Sequence, residues 1–251
     1  MTEKDKATIA AARESFNAEL LSADYHDIHG DAAQVARMIA WLAPKAGGHY
    51  LDLATGTGLV AFALARRHPA VRVTGIDIAE RAIARNRAEA AAGGHDNLDF
   101  RLTDGRRLDF AAGALDGIAW RYALHHFPDP DATLADARRV LAPGGALVVA
   151  DAIRHPDDRE DFINRFQALK PDGHVEMHSG QALTRLIEAA GFRAEASDRS
   201  RLAFTRDLDR RYRDLIAATR PETHALYDLR VEGDRAALSF EILTVRFVAV
   251  G

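Results

Sequence analysis

Gly56-Thr57-Gly58 is the first place in the sequence where residue types and spacing point to chemistry. Glycine there permits positive φ and lets a ligand approach the backbone. A helix starting behind such a turn offers unpaired amides to an anionic group. Read on to Ala61, the same residues also satisfy the dinucleotide fingerprint in which alanine replaces the last glycine, and the turn alone is equally a structural one. Asp77 sharpens the reading. It follows Gly58 by 19 residues and ends the next apolar run, where a carboxylate can accept hydrogen bonds from both hydroxyls of a ribose; its alternative is to cap the helix beginning near Ala79. Asp104, in Leu102-Thr103-Asp104-Gly105, stands in the same relation to a third run. It could accept from the amine of adenine or serve only a turn. His125 and His126 carry ring nitrogens that take up a proton near neutral pH. His174 and His178, with Glu176 between them, occupy a polar stretch from Pro171 that reads by itself as a solvated loop. No further ligands stand at supportive spacing, so no metal is expected there.

These residues need elements to hold them. Apolar residues recur at helical spacing in two runs, Ile9-Phe16-Leu20 and Val35-Met38-Ile39-Leu42, before any strand. Strand patterns follow at Tyr50–Ala54, Val71–Asp77, Leu98–Leu102, Leu115–Arg121 and Ala146–Ala150, the last introduced by a Pro143-Gly144-Gly145 turn. Helical stretches lie between them, at Leu59–Arg67 and Ala79–Ala92, the second closed by Gly93-Gly94. Strands alternating with helices predict a mostly parallel sheet covered on both faces. Beyond Asp151 the spacing predicts a helix-prone segment over 157–169, a helix over 181–190, a strand over 192–197, an arginine-rich helical insertion over 207–219 and a terminal strand over 240–250. Arginines 206, 210, 211 and 213 are expected on a solvated helix face.

The chain has 251 residues, 47% of them apolar and 28% charged, with a net charge of −4. That is the composition of a folded globular domain without the cationic excess that a nucleic-acid backbone requires. It has no cysteine, which excludes disulfides, thiolate zinc sites and a cysteine nucleophile. No stretch approaches the length of apolar chain that a membrane helix needs. A cytoplasmic protein with a small-molecule partner is expected, without nucleic acid or membrane insertion; a homodimer is left open.

Taken in order, Leu51-Asp52-Leu53-Ala54-Thr55-Gly56-Thr57-Gly58, Gly75-Ile76-Asp77-Ile78, Asp104, the block Arg121 to Asp129 and Leu141-Ala142-Pro143-Gly144-Gly145 resemble the class I S-adenosylmethionine-dependent methyltransferases. The likeness is to their ubiquinone/menaquinone-biosynthesis-like small-molecule branch. It is close from about Tyr50 to Asp151 and looser at the flanks, and Ala54 stands where the family often has glycine. The resemblance implies an α/β fold, a Rossmann-like three-layer sandwich whose seven-stranded sheet is mostly parallel with an antiparallel terminal strand and helices on both faces. It implies one domain over 1–251, with a helical lid over 1–44, a cofactor core over 45–151 and substrate-side insertions over 152–251. S-adenosyl-L-methionine would be the cofactor. Asp52, Ala54, Thr55, Gly56 and Gly58 would line its methionyl part, Asp77 its ribose, Ile78, Asp104 and Gly105 its adenine. Arg121 and Tyr122 would lie at the methionyl group, with the Arg121 guanidinium reaching the carboxylate, and Tyr25 would close over the cofactor. His125 or His126 would be a general base, and the His174 segment would help cover the acceptor.

The implied reaction is methyl transfer to carbon or oxygen of a small organic acceptor, an aromatic or quinone-like metabolite being favoured. The absence of an Asn-Pro-Pro-aromatic motif after the fourth strand disfavours methylation of amino groups on bases or protein. Two other readings share the fingerprint. One is an NAD(P)-dependent oxidoreductase, disfavoured by the two leading helices and the histidine block; the other is a module that binds S-adenosylmethionine without catalysis.

Overall fold

A computed structural model describes residues 2–19 and 31–250 of the chain. Tyr25 lies outside the described residues. Helices α1 (Glu3–Glu19) and α2 (Ala32–Leu42) precede the sheet, whose first half alternates strictly: β1 (His49–Leu53), α3 (Leu59–Arg67), β2 (Arg72–Asp77), α4 (Glu80–Ala92), β3 (Leu98–Leu102) and β4 (Leu115–Arg121). A short 3-10 turn (Leu124–His126), α5 (Pro130–Val140) and β5 (Leu141–Ile153) follow. The remainder comprises α6 (Phe162–Gln167), α7 (Gly180–Ala189), β6 (Phe192–Asp207), α8 (Arg210–Ala217), α9 (Pro221–Ala225), β7 (Arg230–Glu232) and β8 (Arg235–Ala249).

Seven strands run in the order β3-β2-β1-β4-β5-β8-β6, and the three-residue β7 pairs with β8 as an eighth. The strands from β3 to β5 are parallel, and β8 enters antiparallel between β5 and β6. Alternation along each strand sends neighbours to opposite faces. Tyr50, Val73, Ala119 and Val148 pack with α2, α3 and α4 on one face. Leu51, Ile118, Trp120, Leu147 and Val149 pack with α5 and α7 on the other. The result is the three-layer α/β sandwich expected. No helix among the described residues is long and apolar enough to cross a membrane.

The start of β5 and the end of β6 differ from the sequence reading. β5 begins at Leu141, because the Pro143-Gly144-Gly145 segment bulges within the strand: Leu141 pairs with Leu115, and the next pair is Ala146 with Gly117. β6 continues to Asp207, paired with β8 along its whole length. Its second half alternates between half-buried and exposed positions, so its polar residues do not interrupt the strand. Arg206 consequently lies on β6, contacting Gln167 Oε1 at 3.3 Å, and not on the arginine-rich helix.

β1 lies between β2 and β4, so the connections leave it in opposite directions, and a crevice opens beyond the carboxyl ends of these strands. Leu53, Asp77 and Arg121 end β1, β2 and β4. Helix α1 crosses this edge. Its Phe16 packs on Ala79 and Ala82, and its Asn17 Oδ1 accepts from the Arg81 amide at 2.9 Å, in the first turn of a helix that has no side-chain cap of its own.

Candidate active site

The crevice is lined by Ala54, Gly56, Asp77 and Ile78 at one end and by Arg121, Tyr122, His126 and Phe127 at the other, with Ile9, Ala12 and Phe16 of α1 across it. Thr103, Asp104, Gly105 and Arg106 form the wall beyond β3.

At the first end the β1–α3 turn is left-handed at Ala54 (φ 57°), Gly56 (φ 52°) and Gly58 (φ 78°). Ala54 carries the strain that a side chain meets in this region. At Gly58 a Cβ would stand 2.7 Å from the Phe62 ring, so only glycine fits. Two carboxylates brace the turn. Asp52 Oδ2 accepts from Thr55 Oγ1 at 2.6 Å and from the Ala61 amide at 3.0 Å. Asp77 Oδ2 accepts from the Gly56 amide at 2.7 Å, and Oδ1 from the Ala79 amide at 2.8 Å. Asp77 thus shapes the turn into α4 and the glycine loop together while remaining on the crevice wall. Burial pushes the Asp52 carboxyl up to about 6 against the opposing Thr55 and Ala61 hydrogen bonds, and it raises Asp77 as well. Asp52, Thr55 and Gly58 support the turn from behind and do not line the crevice. Asp104 does line it, with its Oδ2 3.2 Å from Arg106 Nε.

The other end is built from side chains. Arg121 Nε donates to Gln34 Oε1 at 2.7 Å, and the guanidinium lies 4.0 Å from the centre of the Tyr122 ring. Tyr122 has a left-handed backbone (φ 55°). Past the 3-10 turn, His125 Nδ1 lies 2.6 Å from Asp151 Oδ1, and the His125 amide donates to Asp151 Oδ2 at 3.0 Å. Burial pulls the His125 pKa down, but the Asp151 charge and hydrogen bond outweigh it, and the net shift is upward. The His126 ring packs at a tilt against His125 (centroids 4.3 Å apart) and meets Phe16 edge-on at 4.9 Å. Its buried Nδ1 has no partner, and desolvation, reinforced by His125 and His174, pushes its pKa far down. His174 completes the cluster at 5.8 Å from His125.

His174 is therefore not a solvated loop residue. Its Nε2 meets Asn164 Oδ1 at 3.0 Å, and burial pushes its pKa down to about 3. The loop is drawn inward because Gly173 (φ 72°) touches α1: a Cβ there would stand 2.6 Å from the Thr8 carbonyl oxygen and 2.8 Å from Ala12 Cβ. Of the two adjacent histidines, His126 is on the crevice wall and His125 sits one ring behind it. Sequence reasoning missed Asp151, Gln34, Asn164 and the α1 residues. Asp151 left a signal, a lone carboxylate inside the apolar run Val148-Val149-Ala150-Asp151-Ala152-Ile153. The side-chain partners of Gln34 and Asn164 left none.

A strand–glycine turn–helix unit, a carboxylate ending β2 and a seven-strand path with β8 reversed define a Rossmann-like nucleoside-binding enzyme of the methyltransferase kind. A solved structure from Bacillus halodurans assigned to the methyltransferases has a TM-score of 0.78 at 24% identity, over 88% of this chain and 100% of its own; this likeness concerns the fold. Residues 26–197 match the methyltransferase-domain family, and the chain belongs to it. A ubiquinone/menaquinone biosynthesis C-methyltransferase of Dinoroseobacter shibae is 30% identical over 203 residues, 74% of this chain and 77% of that protein. Its counterpart in Paracoccus denitrificans is 35% identical over 164 residues, 62% of this chain and 64% of that protein's length. The methyl donor is S-adenosylmethionine. The crevice suits it by the chemistry of its donors: apolar Leu53, Ile76, Ile78 and Phe127 for a flat base, the Asp77 carboxylate for hydroxyls and a cation at Arg121 for a carboxylate.

Proposed function

We propose that this enzyme methylates a ring carbon of a reduced, quinol-type aromatic compound. The quinone-related activity of the two relatives supports the acceptor class. The observation that carries the reading is the juxtaposition, in one crevice, of the Asp77 end with the histidine cluster. When bound, the sulfonium of S-adenosylmethionine supplies an electrophilic methyl group. Asp77 then holds the ribose hydroxyls, Ile78, Asp104 and Gly105 flank the adenine, and Arg121 faces the methionyl carboxylate. Ala54 and Gly56 keep the backbone close to the methionyl chain.

A ring carbon can accept a methyl cation only if the ring is electron-rich, so the acceptor enters as the hydroquinone and not as the quinone. Its phenolic proton must leave as the new carbon–carbon bond forms, and the hydrogen on the methylated carbon leaves as a second proton while a phenol proton is regained. The net product is one proton per turnover. Asp151 makes His125 the most basic of the three clustered histidines, and His125 serves as the base by way of His126, the ring that stands between it and the crevice. His126, kept neutral by burial, presents its ring to the acceptor from the crevice wall. Alignment and exclusion of water supply the rest, through α1 and the Gly173 loop above the cluster.

The test is incubation with methyl-labelled S-adenosylmethionine and 1,4-naphthohydroquinone under nitrogen, with the product analysed by mass spectrometry and NMR. Label on the carbon beside a hydroxyl supports the proposal. Label on oxygen, or equal transfer to the oxidised quinone, contradicts it.

A further inference from the structure

Gln34 touches the crevice only through other residues. It lies in the first turn of α2, where Asp31 Oδ1 caps its amide at 2.9 Å, and it is 3% exposed. Its Oε1 accepts from Arg121 Nε at 2.7 Å, and its Nε2 lies 3.5 Å from Oγ1 of the buried Thr244 on β8. A guanidinium can only donate, so the orientation of the amide is fixed, oxygen toward Arg121 and nitrogen toward β8. Tyr122 stands beside this pair, its ring carrying the Arg121 guanidinium. One neutral amide on α2 therefore holds Arg121 at the end of β4, where its guanidinium rests on the Tyr122 ring.

Neutrality matters to what Arg121 can do. A glutamate of the same shape would bind the guanidinium more strongly, but it would place a negative charge beside the group meant to attract a carboxylate. Glutamine fixes the direction of Arg121 without adding a negative charge of its own. We propose that Gln34 is a positioning residue that aims Arg121 at the carboxylate of the amino-acid portion of the nucleoside ligand, and so sets the preference for the intact ligand over the bare nucleoside thioether. This rests on the role given to Arg121 above.

Calorimetry with two probes tests it: S-adenosylhomocysteine, and 5′-methylthioadenosine, which keeps the nucleoside and sulfur but lacks the amino acid. Gln34→Glu is expected to weaken S-adenosylhomocysteine by about tenfold or more while leaving methylthioadenosine within about twofold, which narrows the ratio between them. Gln34→Met, of similar size and uncharged, narrows it less and decides the matter should the glutamate variant not fold. Equal weakening of both probes would make Gln34 merely structural and overturn the proposal, as would an unchanged ratio in Gln34→Met. Arg121→Met separates the layers. If it leaves the ratio intact, the reading of Arg121 fails and this inference with it; if it collapses the ratio while both Gln34 variants preserve it, the inference alone fails.

Discussion

The two ends of the crevice are made differently. At the nucleoside end the anchoring groups are carboxylates held by backbone amides: Asp77 by Gly56 and Ala79, Asp52 by Ala61 with help from the Thr55 hydroxyl. At the histidine end side chains hold side chains, with His125 on Asp151, His174 on Asn164 and Arg121 on Gln34. Backbone amides cannot be mutated away and do not titrate, so the first end offers a fixed mould. Paired side chains set one another's acidity, so the second end offers three histidines with three different proton affinities. The contrast fits an enzyme that binds its donor in one half and handles an acceptor proton in the other.

The largest expected effect is at the nucleoside end. Asp77→Ala removes the acceptors that hold the Gly56 and Ala79 amides, along with the carboxylate proposed for the ribose. Charge-assisted hydrogen bonds are worth about 1.5–3 kcal/mol each, so S-adenosylmethionine affinity should fall on the order of a hundredfold or more in calorimetry. Unchanged affinity would break the comparison at its first term.

Asp151→Asn sharpens the second term. With a basic His125 the rate rises with pH as the ring loses its proton, and the midpoint lies above the ordinary histidine value of about 6.5. Removing the Asp151 charge leaves burial in control, so the midpoint should move down and turnover should drop about tenfold. A pH–rate profile at saturating donor measures both, and an unmoved midpoint would assign the ionisation elsewhere.

A smaller effect concerns stability. His174 stays neutral in the fold to about pH 3, whereas in the unfolded chain it takes a proton near pH 6.5. Its contribution is therefore present above about pH 6.5 and is lost as the pH falls below it, at up to about 1.4 kcal/mol per pH unit. His126 acts in the same direction. His125, with its raised value, acts oppositely: its contribution is complete below about pH 6.5 and fades as the pH rises through its folded value. His174→Gln should flatten the loss of stability between pH 6 and 4, as read from urea midpoints across that range. An unchanged slope would show that the ring is not held neutral.

The same contrast explains what the sequence disclosed. Gly56, Gly58, Asp77 and Asp104 were legible because each acts within a turn or on the next strand along, and local spacing carries that information. The alternation of strands and helices from His49 to Ile153 was legible for the same reason. The histidine end was legible only as residue types. Gln34 meets Arg121 across 87 positions, and His125 meets Asp151 across 26, distances at which only the folded sheet supplies the contact. Which of two adjacent histidines faces the crevice depends on how a three-residue 3-10 turn leaves β4, and no periodicity encodes that. β6 was read short because an exposed edge strand keeps only one half-buried face, and its arginines and aspartates interrupt the apolar pattern.

The division of labour is tested most directly by measuring, on His125→Gln, the dissociation constant for S-adenosylmethionine and the single-turnover rate at saturating donor with 1,4-naphthohydroquinone. The account predicts an affinity equal to wild type with a rate lowered on the order of a hundredfold. A rate that stays normal, or an affinity that falls in step with the rate, would contradict it.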